Sequence, residues 1–243
     1  CKQCDVTMTF HKYSSQLRCH YCGHTSKPPV DCPACGSEKL KTIGFGTEKI
    51  EEDLSVYFPD KKIARMDLDT TRTKNAYQKI ISDFEEKNID VLIGTQMVTK
   101  GLDFDNVGLV GILNADSLMS HPDFRSHERS FQLMAQVSGR AGRKNKRGKV
   151  IIQTYDPSNS IIKFVVDNNY DSMYAVQLAE RNEFKYPPFY RLIELTLKHK
   201  NHEILEEAAI YLHETLARVF GARLLGPNIP AVSRIKNMYL RNF

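Results

Sequence analysis

The stretch Gln136-Val137-Ser138-Gly139-Arg140-Ala141-Gly142-Arg143 decides how the rest of this 243-residue sequence is read. It follows a strand-like Val91-Leu92-Ile93-Gly94-Thr95 and a turn-forming Thr99-Lys100-Gly101-Leu102-Asp103. Arg140 and Arg143 stand three apart, so a helical backbone places both guanidiniums on one face. Such paired forks hold the terminal phosphate oxygens of a nucleotide and stabilise charge as the phosphoryl group leaves. Gly139 and Gly142 cost helix stability and suit a backbone that must approach something closely. The alternative is a glycine-loosened helix end with solvated arginines, which the upstream Gly-Thr-Gln and Lys-Gly-Leu-Asp weaken. No G-x-x-x-x-G-K-[ST] loop and no acidic strand-end motif for magnesium occur in the sequence, so these residues do not encode a complete ATPase site.

All six cysteines fall within the first 35 positions, as Cys1-x-x-Cys4, Cys19-x-x-Cys22 and Cys32-x-x-Cys35. Two such pairs supply the tetrahedral four-sulfur shell of a closed structural zinc site, and Cys1, Cys4, Cys19 and Cys22 satisfy that arithmetic. Disulfides are the competing explanation, disfavoured if the remainder works in a reducing cytosol. Cys32 and Cys35 then need two further ligands. These are either an upstream C-x-x-C beyond the sequence, the favoured source, or two of His11, His20 and His24; a different pairing of the three knuckles is a further option. Residues 1–40 hold few large apolar side chains (Phe10, Tyr13, Leu17, Tyr21, Val30), so metal binding has to supply much of their folding energy, on the order of 10 kcal/mol.

Composition is that of a soluble protein of one large or two ordinary domains, 41% hydrophobic and 26% charged. No apolar run reaches the roughly 20 residues that span a bilayer, and there is no basic-then-apolar leader, which argues against membrane and secreted readings. Starting at Cys1 and ending in a basic, strand-forming stretch, the sequence reads as a piece of a longer chain. The net charge of +5 is unevenly spread: Arg140 to Lys149 holds six Lys or Arg and no acid. Such a run is either a phosphate footprint or a solvated hairpin turn, and its adjacency to the arginine pair favours nucleic acid.

Beyond Leu40 the pattern alternates. Strands are expected at 41–45, 62–67, 90–95, 107–113 and 149–154. Thr47 is expected to cap a helix with Ile50, Leu54 and Phe58 on one stripe, followed by helices over 76–87 and 126–141. Alternating strands and helices with nearly continuous apolar strands predict an α/β fold with a parallel sheet covered on both faces. Ligands in such sheets gather at the carboxyl ends of strands, which places Thr95 to Lys100 and Asp103 at a functional edge.

The sequence Gly94-Thr95-Gln96-Met97-Val98-Thr99-Lys100-Gly101-Leu102-Asp103-Phe104, with Asn114-Ala115-Asp116, Pro122-Asp123-Phe124-Arg125 and Gln136 to Arg143, resembles motifs V and VI of superfamily 2 helicases. The cysteine knuckles, with His20-Tyr21-Cys22-Gly23 and Cys32-Pro33-Ala34-Cys35-Gly36-Ser37 before Gly46-Thr47-Glu48, are similar to the PriA (primosomal protein N′) family of replication-restart helicases. That resemblance implies a RecA-like second helicase lobe, and four C-x-x-C pairs holding two zinc ions, the first and last pairs sharing one ion, so that Cys32 and Cys35 belong to an outer site completed by a pair upstream of Cys1. It also implies an ATP- and Mg2+-dependent 3′ to 5′ DNA helicase in the cytoplasm, associated with the nucleoid. Such an enzyme acts at stalled forks and single-stranded/duplex junctions, with single-stranded-DNA-binding protein, primosome proteins and the loader of the replicative helicase as partners. Carried onto matching positions, Gln136, Arg140 and Arg143 face the γ-phosphate, and Gly101 and Asp103 couple that cleft to DNA. Thr95, Gln96 and Thr99 are candidates for DNA-backbone contacts, with Lys100, Lys144, Lys146 and Arg147 as basic companions.

The remaining residues are expected to form two helices over 158–183, a boundary at Lys185-Tyr186-Pro187-Pro188-Phe189 where paired prolines stop the helix, and a small, partial α+β domain. That domain is expected to hold strands at 191–199 and near 223–225 around a helix at 203–220. The division is thus 1–40, 41–185 and 186–243. Arg234, Lys236 and Arg241, beside Tyr239 and Phe243, either stack on and grip DNA or belong to a plain edge strand. Two other readings of the whole are a zinc-ribbon nucleic-acid adaptor without catalysis and a related remodelling helicase. Alone, these residues are expected to hydrolyse no ATP.

Overall fold

A computed structural model describes the chain except residues 12–13, 41–45, 68, 72, 96–97, 99–103, 105–106 and 143–147. The chain groups into two compact units, residues 1–44 with 192–243, and residues 45–191. The strand expected at 41–45 lies outside the described residues.

In the 45–191 unit, helix α1 (Thr47–Tyr57) leads to strand β4 (Ile63–Met66), helix α2 (Lys74–Glu85) and strand β5 (Val91–Gly94). Strand β6 (Leu109–Ile112) is followed by a short helix α3 (Asp116–Met119), helix α4 (Ser126–Ser138) and strand β7 (Lys149–Ile152). Helices α5 (Ser160–Val166) and α6 (Tyr170–Glu183) complete the unit. Among the described residues the strands form two parallel pairs, β4–β5 with Ile63 opposite Val91 and β6–β7 with Leu109 opposite Lys149. Parallel neighbours require a helical crossover, which α2 and α4 provide.

Two clusters hold this unit. Ala115, Phe131, Met134, Ile161, Ile162, Val165 and Met173 bury one another where α4, α5 and α6 meet. Met66, Ile81 and Phe104 form the other, with Phe84 set edge-on to Phe104 at 4.8 Å. Each fully buried aliphatic or aromatic side chain contributes about 1.5–3 kcal/mol by leaving water. The helix expected over 126–141 stops at Ser138, so Arg140 follows it in a turn rather than on a helical face, and the first of the two helices expected over 158–183 buries Ile161, Ile162 and Val165 but leaves Val166 in solvent. Thr47 is not the cap of α1: Gly46 takes that position, and the Thr47 hydroxyl donates to Asp67 Oδ2 at 2.6 Å. Side-chain caps appear instead at Thr73, Asn159 and Asn169, each accepting a first-turn N–H.

The other unit holds two small antiparallel sheets. Strands β1 (Thr9–His11), β2 (Gln16–Arg18) and β3 (Thr25–Ser26) form the ribbon, with Phe10 opposite Leu17. Strand β8 (Thr196–His199), helix α7 (His202–Phe220), strand β9 (Arg234–Ile235) and strand β10 (Met238–Asn242) make the rest, in the order β8-β10-β9. The strand expected near 223–225 is absent; a 3-10 turn (Gly221–Arg223) stands there. The basic C-terminal stretch divides: Arg241 lies on β10, which is paired on both sides, whereas Arg234 lies on the short edge strand β9. Arg241 is only 6% exposed and binds Glu206, with His202 Nε2 at 3.1 Å, so it is closed to nucleic acid. A buried guanidinium needs such a partner to offset its desolvation.

Candidate functional site: a four-thiolate cluster and an arginine turn

The spacing of the first two knuckles produces one cluster. The Sγ atoms of Cys1, Cys4, Cys19 and Cys22 all lie within 4.8 Å of one another, and Cys1 and Cys22 are 3.6 Å apart. Four thiolates at about 2.3 Å from one zinc ion have sulfur–sulfur edges of about 3.8 Å, so these residues fit a structural zinc site. Cys4 and Cys19 are fully buried, and four sulfur ligands would fill a tetrahedral shell. The knuckle turn is set by Gly23 at φ 78°, where the Gly23 N–H donates to the Cys19 carbonyl and the Cys19 N–H to the His24 carbonyl, both at 2.9 Å.

Two of the thiols are pulled in opposite directions by their surroundings. Burial pushes the Cys19 thiol up, but the N–H groups of Cys22 and Tyr21 outweigh it and draw the group down. For Cys22 the His24 N–H pulls downward, yet burial and the neighbouring Cys19 and Cys4 thiols leave it raised. Converging thiols cannot all ionise unless a metal neutralises them.

The third knuckle repeats the second in its backbone. The Gly36 N–H donates to the Cys32 carbonyl at 2.7 Å, the Cys32 N–H donates to the Ser37 carbonyl at 2.9 Å, and Gly36 sits at φ 68°. The N–H groups of Ala34 and Cys35 pull the Cys32 thiol down. Cys32 and Cys35 thus sit on the same knuckle backbone as Cys19 and Cys22. Among the described residues no His11, His20 or His24 joins them in a metal-sized group; His11 and His20 instead face each other at 5.7 Å.

The second site is the turn after α4. Gln136 is exposed on the last turn of the helix, and Arg140, half-buried, follows one turn later. The Arg140 N–H donates to the Val137 carbonyl, the Ala141 N–H to Ser138 and the Gly142 N–H to Val107, at 3.0, 3.1 and 3.0 Å. Gly142 adopts φ 74°, open to glycine, whereas Gly139 is in ordinary helical geometry with room for a Cβ. Of the two glycines marked out by sequence, only Gly142 is required by its backbone.

The turn lies beside the amino ends of β6 and β7, because α4 must run back against the strands before the chain enters β7. Thr95 is exposed at the carboxyl end of β5. The rule that ligands gather at carboxyl ends thus reaches Thr95 but not the arginine turn. Gly94 allows that exit: a Cβ there would clash with Val98 and come 2.9 Å from the Met66 carbonyl. Gln96, Thr99, Lys100, Gly101, Asp103, Arg143, Lys144, Lys146 and Arg147 lie outside the described residues.

Two groups of residues quoted in the sequence reading were given no structural role there. Asp116 accepts from Thr154 Oγ1 at 2.9 Å and the Tyr155 N–H at 3.0 Å, tying the segments that leave β6 and β7. Phe124 stacks on Tyr186 at 4.9 Å with the Arg181 guanidinium 5.2 Å above its ring, and Arg181 also binds Glu128. The proline pair hinted at a stop near Tyr186, but nothing local pointed to its aromatic partner.

The geometry is that of a helicase C-terminal domain joined to a zinc ribbon, and comparisons with known proteins agree. Residues 1–27 match the PriA DNA helicase Cys-rich region domain, residues 37–145 the helicase conserved C-terminal domain, and residues 182–243 the primosomal protein N C-terminal domain. The chain belongs to the PriA family of replication restart proteins. It is 45% identical over 241 residues to replication restart protein PriA of Bacillus subtilis, 41% over 247 residues to that of Synechocystis and 42% over 241 residues to that of Treponema pallidum. Each match covers 98% of this chain but only 30%, 30% and 36% of the relative. Among the described residues no helix is long and apolar enough to cross a membrane.

Proposed function

We propose that this chain provides the zinc module, the second motor lobe and C-terminal domain residues of an ATP-dependent 3′ to 5′ DNA helicase that restarts stalled replication forks and initiates primosome assembly. In this reading residues 1–40, 41–185 and 186–243 are the three working parts. Gln136, Arg140 and Arg143 meet the terminal phosphate of ATP bound with Mg2+ on a separate lobe, and Gly101 and Asp103 relay that contact to DNA. Thr95, Gln96, Thr99 and Lys100, with Lys144, Lys146 and Arg147, grip DNA phosphates without reading bases, which suits a motor. Single-stranded-DNA-binding protein, primosome proteins and the helicase loader are the partners, in the cytoplasm at the nucleoid.

The observation that carries the proposal is the Arg140 turn, with its three backbone hydrogen bonds and glycine at the positive-φ position. A backbone turn already fixed by hydrogen bonds leaves less to reorder when a phosphate arrives. The test joins this chain to a lobe that carries a phosphate-binding loop and measures DNA-stimulated ATP hydrolysis. Arg143→Ala is expected to lower the rate on the order of 10³-fold, as loss of an arginine finger does. Unchanged hydrolysis in both Arg140→Ala and Arg143→Ala would leave a zinc-ribbon adaptor as the better reading.

A further inference from the structure

Two of the four clustered thiols take an outer hydrogen bond locally. The Gln3 N–H lies 3.4 Å from Cys1 Sγ, and the His24 N–H lies 3.4 Å from Cys22 Sγ. Cys4 differs. Its Sγ receives the N–H of Lys236 at 3.3 Å, from a residue 232 positions away.

Lys236 and Asn237 form the two-residue turn between β9 and β10, where Ile235 pairs with Met238. Both have left-handed φ, 52° and 60°, a conformation that strains a lysine and suits an asparagine better. Neighbouring bonds press the turn onto the knuckle. The Asn237 N–H donates to the Gln3 carbonyl at 2.8 Å, and the Asp5 N–H donates to the Arg234 carbonyl at 2.9 Å. The Asp5 carboxylate accepts from Ser233 Oγ at 2.6 Å and from the Arg234 guanidinium at 2.9 and 3.1 Å.

We propose that the Lys236–Asn237 turn is part of the zinc centre: it positions Cys4 through a backbone N–H and makes metal retention depend on the fold of residues 192–243. Four thiolates on one divalent ion leave excess negative charge on sulfur, and N–H donors around the ligands spread it and fix ligand orientation. The knuckle Cys1-Lys2-Gln3-Cys4 has its own donor for Cys1 but borrows one for Cys4. A strained turn persists where its surroundings hold it, and here the surroundings are the ligand loop. Loss of the turn therefore loosens the metal, and loss of the metal frees the turn.

The test uses the full chain with Cys32→Ser and Cys35→Ser, so that one site is read, and measures zinc affinity against a chromophoric chelator. Lys236→Pro, which removes the N–H, and the double change Ser233→Ala with Arg234→Ala are each expected to weaken zinc binding about 10- to 100-fold. Lys236→Gly keeps the N–H, tolerates positive φ, and is expected to stay within about twofold of the parent. Amide hydrogen exchange at Lys236 and Asn237 is expected to accelerate when zinc is stripped. Where Lys236→Pro fails to fold, the Ser233/Arg234 double variant decides. Parent-like affinity in that double variant, or exchange at 236 and 237 that ignores zinc removal, overturns the proposal.

Discussion

Gly148 lies directly against the Ala141–Gly142 peptide: a Cβ on Gly148 would collide with the Gly142 amide nitrogen and the Ala141 carbonyl carbon. Gly148, just before β7, therefore clamps the arginine turn, and the Val107 carbonyl holds the Gly142 N–H. Local backbone strain and close approach, not helix propensity, set the identity of these glycines.

The three glycines around the turn should respond differently to alanine. Gly148→Ala is expected to cost about 1–3 kcal/mol through overpacking against immovable backbone, and Gly142→Ala about 1–2 kcal/mol because φ 74° disfavours a Cβ. Gly139→Ala should be neutral or stabilise by up to about 1 kcal/mol. Urea unfolding of the three variants checks the order; a Gly148→Ala protein as stable as its parent would refute the clamp. Lost ATPase in a fully stable Gly139→Ala variant, within a joined helicase, would mean that the phosphate side needs the bare backbone there.

Metal removal should unfold the ribbon and leave the 45–191 unit folded. The four-sulfur site is expected to retain about one zinc per chain, with binding energy on the order of 10 kcal/mol. Cys19→Ser should abolish metal at this site, while Cys32→Ser should leave it in place. Elemental analysis of purified protein checks the stoichiometry, and a metal-free parent with an intact ribbon would contradict the assignment.

Asp67 gives a defined acid limb. Burial pushes its carboxyl up, but the Thr47 hydroxyl, the Thr70 N–H and the Arg65 guanidinium outweigh that and hold it below the usual carboxylate range. A carboxyl whose folded pKa is depressed stabilises the protein above the unfolded value near pH 4, and loses that contribution as pH falls through the folded pKa. The stability gap between the parent and Asp67→Asn should therefore be full at pH 6 and shrink below about pH 4. Zinc loss at low pH affects both proteins alike, so the difference isolates Asp67. A gap that stays constant from pH 6 to 3 would show that the carboxylate charge contributes nothing.

Phe124→Ala should cost about 1–2 kcal/mol, because it removes both the parallel stack with Tyr186 and the ring beneath Arg181. Tyr186→Leu should lose only the stack, and so less. Comparing both with the double variant in a thermodynamic cycle measures the coupling; strict additivity would mean the rings do not support each other.

Much of the site was legible because it is encoded locally. The C-x-x-C spacing brings Cys1 with Cys4 and Cys19 with Cys22 whatever surrounds them, and the 3.6-residue rhythm through Phe131 and Met134 fixes the buried face of α4. The parallel strands β6 and β7 were visible as apolar runs separated by a helix. Less legible was the cap of α1, where Thr47 satisfies the normal sequence preference but is drawn off to Asp67 by a stronger acceptor across the fold.

Sequence by itself determined the zinc knuckles, the helicase-like order of motifs and the family, since spacing and local periodicity survive without knowledge of long-range contacts. Tertiary structure alone decided that β10 lies in the middle of its sheet, that Arg241 is shut in with Glu206, and that Lys236 donates to Cys4. Those outcomes depend on which distant backbone and charged groups must find partners once water is excluded, and no local pattern records that pairing.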